Sequence, residues 1–201
     1  MRQLSKVTCD MSMSLDGFTA GPRQSLDQPF GEGVDDRLHR WMFEQAEVHA
    51  DVIEAGTEAG AFIMGRNMFA PGRGEWDLDW NGWWGEEPPY HAPVFVLTHH
   101  PRESVTMKGG TTFHFVTDGI ESALARAREA AGERTVSIAG GAHTVNQYLA
   151  AGLIDELRLH IAPVILGQGE RLLKDVGDLN LEPVHVAGTD LVTHVTYRVG
   201  R

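Results

Sequence analysis

The chain has 201 residues, a formal net charge of −11 and 42% apolar residues, a composition typical of a globular protein that can bury its own core. The acidic balance and the lack of a basic stripe argue against a nucleic-acid partner. No apolar stretch approaches 18 residues, so neither a signal peptide nor a membrane span is expected. A single cysteine, Cys9, excludes an internal disulfide and fits a reducing compartment. We therefore expect one cytoplasmic domain over residues 1–201.

The first third of the chain predicts one strand, a loop, two helices and a second strand. Apolar and polar residues alternate over 7–13, which predicts a strand that ends at an Asp-Gly turn. Residues 20–36 are rich in Gly, Pro, Gln and Asp and predict a loop. Helical spacing of apolar residues indicates helices over 37–49 and 51–59. The apolar run at 61–64 predicts a buried strand that ends at Gly65.

Residues 70–92 form a long segment without periodicity that contains four tryptophans. Loops of this length in compact domains are usually functional or disordered, and the tryptophans make disorder the less attractive interpretation. Flat aromatic rings suit a lid over a planar ligand, with Trp80 and Trp83 as candidate substrate contacts. The alternative is that these rings cover the core or a dimer interface.

The rest of the chain alternates strands and helices and then predicts strands at the end. Strands are expected at 94–97, 112–116, 136–139, from 157 to near 163, and at 191–199. A capping box of Asp118 and Glu121 begins one helix, and a helix over 144–151 ends at Gly152. This order indicates an α/β fold with a mostly parallel sheet, an antiparallel C-terminal edge and flanking helices.

Three predicted strands end in residues suited to a phosphate-bearing ligand. Gly140 and Gly141 join a strand directly to a helix, whose first N–H groups favour a phosphate. Gly65 precedes Arg66, a side chain able to bind phosphate through two nitrogens. The third strand runs into Thr98-His99-His100. Each motif alone also fits an ordinary turn, but ligands of open α/β sheets bind beyond the carboxyl ends of strands.

Other residues are candidates for the substrate side of such a site. Asp16, beside Ser14, could act as a general acid or a polar substrate contact. Its alternative is a turn aspartate that binds its own backbone. Trp41 could face a planar substrate or pack in the core. No third ligand accompanies His99 and His100 at a familiar spacing, so no metal site is predicted.

The motifs occur in an order that resembles the dihydrofolate-reductase-like family, which includes the reductase domain of riboflavin biosynthesis. The resemblance spans roughly residues 5–198 and rests on Met13-Ser14-Leu15-Asp16-Gly17, Ile63-Met64-Gly65-Arg66, Val96-Leu97-Thr98, Gly140-Gly141-Ala142, 152–157 and 163–169. It implies a three-layer fold with a central mixed sheet of about eight strands, NADPH as cofactor and a homodimer.

The resemblance also implies positions for the cofactor and the substrate. Gly65 and Arg66 would meet cofactor phosphates, and Thr98, His99 and His100 would lie near the adenosine 2′-phosphate. The pyrophosphate would be held by Gly140, Gly141, Ala142, His143 and Thr144. Residues 14–20 would border the nicotinamide and the substrate.

We expect an NADPH-dependent oxidoreductase that transfers a hydride to a small planar substrate, such as a pterin, a pyrimidine or a related C=N or C=O compound. Alternatives are a nucleotide-binding module without catalysis, a folate-specific reductase and a riboflavin-pathway pyrimidine reductase. Ala139 stands where those pyrimidine reductases carry a glutamate before the paired glycines. NADPH is expected over NADH, because Arg66 and the histidine pair stand where a 2′-phosphate could lie.

Overall fold

The computed structural model describes residues 5–200. Its strands are β1 (Val7–Ser14), β2 (Phe18–Ala20), β3 (Ala61–Gly65), β4 (Pro93–Leu97), β5 (Val105–Thr106), β6 (Thr112–Val116), β7 (Val136–Gly140), β8 (Glu156–Ala162), β9 (Glu170–Arg171), β10 (Asn180–Gly188) and β11 (Thr193–Gly200). Its α-helices are α1 (Arg40–Glu44), α2 (Ala50–Thr57), α3 (Arg66–Phe69), α4 (Ile120–Ala131) and α5 (Ala142–Ala150), and a 3-10 turn covers Lys108–Gly110. None of the helices within this described range is long and apolar enough to cross a membrane.

Nine strands form one sheet in the order β10-β11-β8-β1-β7-β3-β4-β6-β5. The six strands from β8 to β6 run parallel, and β11 joins β8 antiparallel at the C-terminal edge. This confirms the predicted mixed, mostly parallel sheet. At the opposite edge β5 pairs antiparallel with β6, a feature that the sequence did not predict. Strands β2 and β9 form a small separate ribbon.

One face of the sheet packs against α4 and α5. Alternate residues of the strands, such as Cys9, Ile63 and Ile138, meet the helices there and are fully buried. The helices contribute small and aromatic residues, including Ala127 and Tyr148, to the same cluster. Because β1 and β7 are covered on this face, the polar residues that alternate with the apolar ones must lie on the opposite face.

The opposite face has two different halves. Over β3, β4 and β6 it is apolar, and Phe62, Val94 and Phe113 pack beneath the tryptophan-rich segment. Over β1, β8 and β11 it is polar, because Asp10, His160 and His194 occupy the alternate positions of strands that pair in register. The short helix α1 covers the polar half through Trp41, whose side chain is buried.

The predicted helices differ from the observed ones in three places. A single helix over 37–49 is wrong, since α1 ends at Glu44 and the chain turns before α2. Tertiary contacts hold the segment between the two helices: the side chain of Gln45 accepts a hydrogen bond from Thr189, and the ring of His49 contacts the ring of His194. The Asp118 capping box is also wrong, because Gly119 is the cap residue and Asp118 accepts from Ser122. Helix α5 begins at residue 142, two residues earlier than predicted.

The sequence also missed β10, the outermost strand at the C-terminal edge. Its side chains are almost all exposed, and Val184 and Val186 face solvent. Without a buried face, such a strand has no alternation of apolar and polar residues to reveal it. Strand β10 is defined instead by its antiparallel pairing with β11. The register of this pairing shifts between Pro183 and His185.

Candidate functional site

A cleft of about 1380 Å³ lies along the polar half of the sheet and the carboxyl ends of β3, β4 and β7. Pockets for one small molecule usually enclose about 300–1,000 Å³. This cleft is therefore large enough for a dinucleotide and a second, smaller molecule together. Its position at strand ends is where open α/β sheets bind ligands.

The turn between β7 and α5 presents backbone to the cleft. Gly140 has φ +129°, a conformation that side chains disfavour, and the Gly140–Gly141 peptide is cis. Gly141 caps α5 without any side-chain hydrogen bond, so the first-turn N–H groups remain available. A Cβ placed on Gly141 would meet no atom within 4 Å, because that side of the residue is open. The turn thus forms a backbone cradle of the kind that receives a phosphate.

The end of β3 packs tightly against this cradle. A Cβ on Gly65 would lie 2.3 Å from Oγ1 of Thr144, so only glycine lets the two turns approach. Arg66 follows, and its guanidinium stacks on Trp76 at 4.1 Å and donates to the carbonyls of Gly74 and Glu75. Its Nε is buried and has no hydrogen-bond partner in the described part of the chain. Arg66 is thus held at the cleft with an unused donor.

The end of β4 brings the third predicted motif to the cleft. The Thr98 hydroxyl donates to the carbonyl of His100 and accepts from its N–H, which shapes the turn. His99 is exposed, and Nδ1 of His100 lies 3.3 Å from Oε1 of Glu75. This turn supplies imidazole groups to the rim of the cleft.

The structure brings the ten predicted cofactor residues together around one cleft. They are Gly65, Arg66, Thr98, His99, His100, Gly140, Gly141, Ala142, His143 and Thr144. An open backbone cradle, an arginine with an unused donor and a rim of histidines fit a nicotinamide dinucleotide with its phosphates. Cofactor binding at these residues remains a prediction.

Asp16 and Ser14 lie outside the lining of the cleft. The carboxylate of Asp16 accepts from the N–H groups of Leu166 and Gly167, and Ser14 Oγ accepts from the N–H of Phe18. A hydrogen bond with Ser14, together with those backbone amides, lowers the pKa of Asp16 to about 2. In this geometry Asp16 is an ionised loop anchor outside the lining of the cleft, and its role as proton donor or substrate contact stays a prediction.

The tryptophan-rich segment is tied to the core more than the lid hypothesis supposed. Indole N–H groups of Trp76, Trp80 and Trp83 donate to backbone carbonyls of residues 100, 69 and 68. Trp76, Trp80 and Trp84 pack on the buried cluster beneath them. Trp83 and Trp84 line the cleft, whereas the expected substrate contact Trp80 does not. The segment is both a cover for the core and a wall of the cleft.

The sequence reasoning missed the polar side of the cleft. Asp10, His39 and His160 line it together with Trp41, which was a predicted substrate contact. The Trp41 indole lies 5.2 Å from the ring of His160 and 4.9 Å from that of His194. The available signal was the placement of charged and histidine residues at alternate positions of otherwise apolar strands. Within residues 5–200, no three His, Cys, Asp or Glu side chains are arranged to hold a metal ion.

Comparison with known proteins agrees with this architecture. The uncharacterized protein YyaP of Bacillus subtilis strain 168 is 24% identical over 192 residues, covering 90% of this chain and 87% of that protein. A structure of the "putative riboflavin biosynthesis protein" of Shewanella sp. PV-4 has a TM-score of 0.66 at 23% identity and covers 98% of this chain and 99% of that one. Dihydrofolate reductase from Enterococcus faecalis, complexed with NADP(H), has a TM-score of 0.55 at 14% identity, covering 98% and 97%.

At these low sequence identities, the structural neighbours show a shared fold and nothing about activity. The model of the RibD C-terminal domain family matches residues 5–195, nearly the whole chain. The chain therefore belongs to the RibD C-terminal domain family and has a dihydrofolate-reductase-like fold, as its sequence motifs predicted.

Proposed function

We propose that the chain is an NADPH-dependent reductase that transfers a hydride to a small planar substrate, with residues 1–201 forming one reductase domain. The observation that carries the proposal is the meeting of three phosphate-suited strand ends at one cleft with space for two molecules. NADPH would supply the hydride. The family membership supports the same class of reaction.

The chain would contribute binding, orientation and a closed environment. The cradle at Gly140 and Gly141 would hold the pyrophosphate on the first turn of α5. Arg66 and His99 would attract the adenosine 2′-phosphate, which NADH lacks. The aromatic walls formed by Trp83 and Trp84 would pack against a flat ring and exclude water from it. A pterin, a pyrimidine or a related C=N or C=O compound fits such walls.

Two measurements test this proposal. Calorimetric titration should give a dissociation constant for NADPH at least about tenfold below that for NADH, a difference of about 1.4 kcal/mol. Equal affinities for NADPH and NADH would mean that the histidines at the rim of the cleft do not bind the 2′-phosphate. A screen of NADPH oxidation against pterins, pyrimidines and small carbonyl compounds then tests catalysis. A protein that binds NADPH and oxidises it with none of them would be the nucleotide-binding module instead.

We also propose that the protein works in the cytoplasm as a homodimer. The supporting observation is β10, an edge strand whose outer side pairs with no strand in the described part of the chain and which exposes Val184 and Val186. Exposed edges are usually covered or paired. Light scattering should therefore give about twice the monomer mass of 22.1 kDa, and a monomer at working concentrations would refute the dimer.

A further inference from the structure

A chain of three imidazoles runs from the cleft into the protein. His160 on β8 and His194 on β11 stand opposite each other in register, with their Nδ1 atoms 2.8 Å apart. Nε2 of His194 lies 3.0 Å from Nδ1 of His49, the residue before α2. All three rings are buried. Each contact needs one N–H and one lone pair, so the protons of the three rings are coupled.

The far end of this chain faces only hydrogen-bond acceptors. Nε2 of His49 lies 3.3 Å from Oε1 of Gln45 and 3.4 Å from Oγ1 of Thr189. The Thr189 hydroxyl donates to that same Gln45 oxygen at 2.6 Å, so its proton is already committed. The Gln45 amide nitrogen donates to Asp190, which sets the orientation of the amide. Nε2 of His49 must therefore carry a hydrogen.

That requirement propagates to the cleft. With its hydrogen on Nε2, His49 accepts at Nδ1 from the Nε2–H of His194. The Nδ1 atom of His194 then accepts from the Nδ1–H of His160. The remaining nitrogen, Nε2 of His160, lies 3.7 Å from Oδ1 of Asp10, a buried oxygen without a hydrogen-bond partner among the described residues. A carboxylate is an acceptor as well, so this end of the chain also favours a hydrogen on His160, through an ion-pair contact longer than a hydrogen bond.

Neither His194 nor His49 favours a second hydrogen. Burial, and then the charge of His160, hold the pKa of His194 at about 4, and the same two causes lower the pKa of His49. The second oxygen of Asp10 lies 3.5 Å from Arg158, which is also paired with Glu156. The charged or titratable groups around His160 are Asp10 on β1, Arg158 on β8, His194 on β11, His39 before α1 and His49 before α2, and His185 on β10 acts on His194.

We propose that His160 is the proton donor of the cleft, with Asp10 as its counter-ion and with His194 and His49 as positioning residues that fix its ring. This inference rests on the reductase function proposed above. In that reduction the substrate carbon of a C=N or C=O group gains a hydride, and NADPH becomes NADP⁺. The neighbouring nitrogen or oxygen gains the proton from Nε2 of His160. His160 is left neutral with its hydrogen on Nδ1, and water in the cleft restores the lost proton.

Nitrogen-15 NMR of the full chain, labelled in its histidine rings, tests the proton positions directly. We expect His194 and His49 to carry hydrogen on Nε2 only, and His160 to be the one ring of the three that carries hydrogen on both nitrogens. Asp10→Asn should abolish the second proton of His160. The matched control is His114→Asn, which alters a histidine on β6 whose ring packs against Phe95 and should leave His160 unchanged. A wild-type His160 with a bare Nε2, or a His49 with its hydrogen on Nδ1, would overturn the proposal.

The positioning role is tested at His194. In His194→Phe the Nδ1 of His160 loses its acceptor, so the ring should no longer favour hydrogen on both nitrogens. His194→Gln restores an acceptor oxygen and should recover much of the wild-type spectrum. Equal spectra for the two variants would remove His194 from the mechanism. If either variant fails to fold, the wild-type spectrum still decides between the proposed and the opposite proton arrangement.

Cofactor binding separates this inference from the proposed function. Titration with NADP⁺ should give the same dissociation constant for the wild type and for His160→Asn. A wild type that does not bind NADP⁺ refutes the reductase, whatever the histidine spectra show. A wild type that binds NADP⁺ but holds a single proton on His160 refutes the donor alone. For the compound that the wild type reduces fastest, His160→Asn should lower kcat about 100-fold or more.

Discussion

The two sides of the cleft are built from different parts of the chain. Over β3, β4 and β7 the ligand would meet backbone, because Gly141 leaves open space beside it and Gly65 lets the end of β3 pack closely against Thr144. Over β1 and β8 it would meet the side chains of Asp10 and His160 beneath the Trp41 ring. A backbone cradle recognises a phosphate whatever the neighbouring side chains are. Side-chain chemistry, in contrast, selects the particular molecule to be reduced.

The largest effect that separates the two sides is expected for Gly141→Val. The new side chain points into open space, so the fold should tolerate it, but it would occupy the volume of the pyrophosphate. We expect the dissociation constant for NADPH to rise about 100-fold or more. Ala150→Val is the control, because Ala150 is exposed at the opposite end of α5 and lies outside the lining of the cleft. A folded Gly141→Val protein with unchanged affinity would place the cofactor elsewhere.

A second variant on the backbone side tests packing rather than ligand contact. In Gly65→Ala the added methyl group would lie 2.3 Å from Thr144 Oγ1 and force the two turns apart. We expect unfolding by urea to show a loss of about 1–3 kcal/mol, the usual cost of overpacking. The double variant Gly65→Ala, Thr144→Ala removes the clashing oxygen and should recover part of that loss. If the double variant is no more stable than Gly65→Ala, the close contact does not limit this position.

Low pH should destabilise the protein through the buried rings of His39 and His194. Burial lowers the pKa of His39 and of His194 to about 4, so folded rings resist protons that the unfolded chain takes up near pH 6.5. The free energy of unfolding should therefore be highest above pH 6.5 and fall between pH 6.5 and 4, by roughly 2 kcal/mol for His39.

Chemical unfolding at several pH values measures this effect. His39→Phe is a suitable comparison, because Nδ1 of His39 is buried without a partner in the described range. That variant should show a weaker dependence on pH than the wild type. A free energy of unfolding that stays constant from pH 7 to 4.5 would mean that His39 and His194 take up protons as readily in the folded protein as in the unfolded chain.

The smallest expected effect concerns fluorescence of the tryptophan-rich segment. Trp83 lines the cleft and Trp80 does not, although their rings touch at a centroid distance of 4.6 Å. Saturating NADPH should change the emission of the wild type, and Trp83→Phe should remove more of that change than Trp80→Phe. Equal losses in the two variants would show that the segment responds as one unit.

Much of the backbone side could be predicted from the sequence, because its signals are local. An apolar run that ends in glycine marks a strand end, and a glycine pair followed by helical residues marks a helix start. Since the carboxyl ends of parallel strands share one edge of a sheet, the three motifs around Gly65, Thr98 and Gly140 were expected to meet. The loop contacts of Asp16 could not be predicted, for the opposite reason. Its partners, Leu166 and Gly167, lie 150 and 151 residues away in the chain and gave no local sign.

The sequence by itself determined the fold family, the mostly parallel sheet and the glycine turns, since these are indicated by local patterns and by their order along the chain. The tertiary structure alone decided the histidine side of the cleft. His160 meets His194 only because β8 and β11 pair in one particular register, and His49 joins them only because the chain turns after α1. A shift of one residue in that register would turn the His194 side chain to the other face of the sheet. The proton positions of the cleft therefore depend on strand pairing, which no short stretch of the chain encodes.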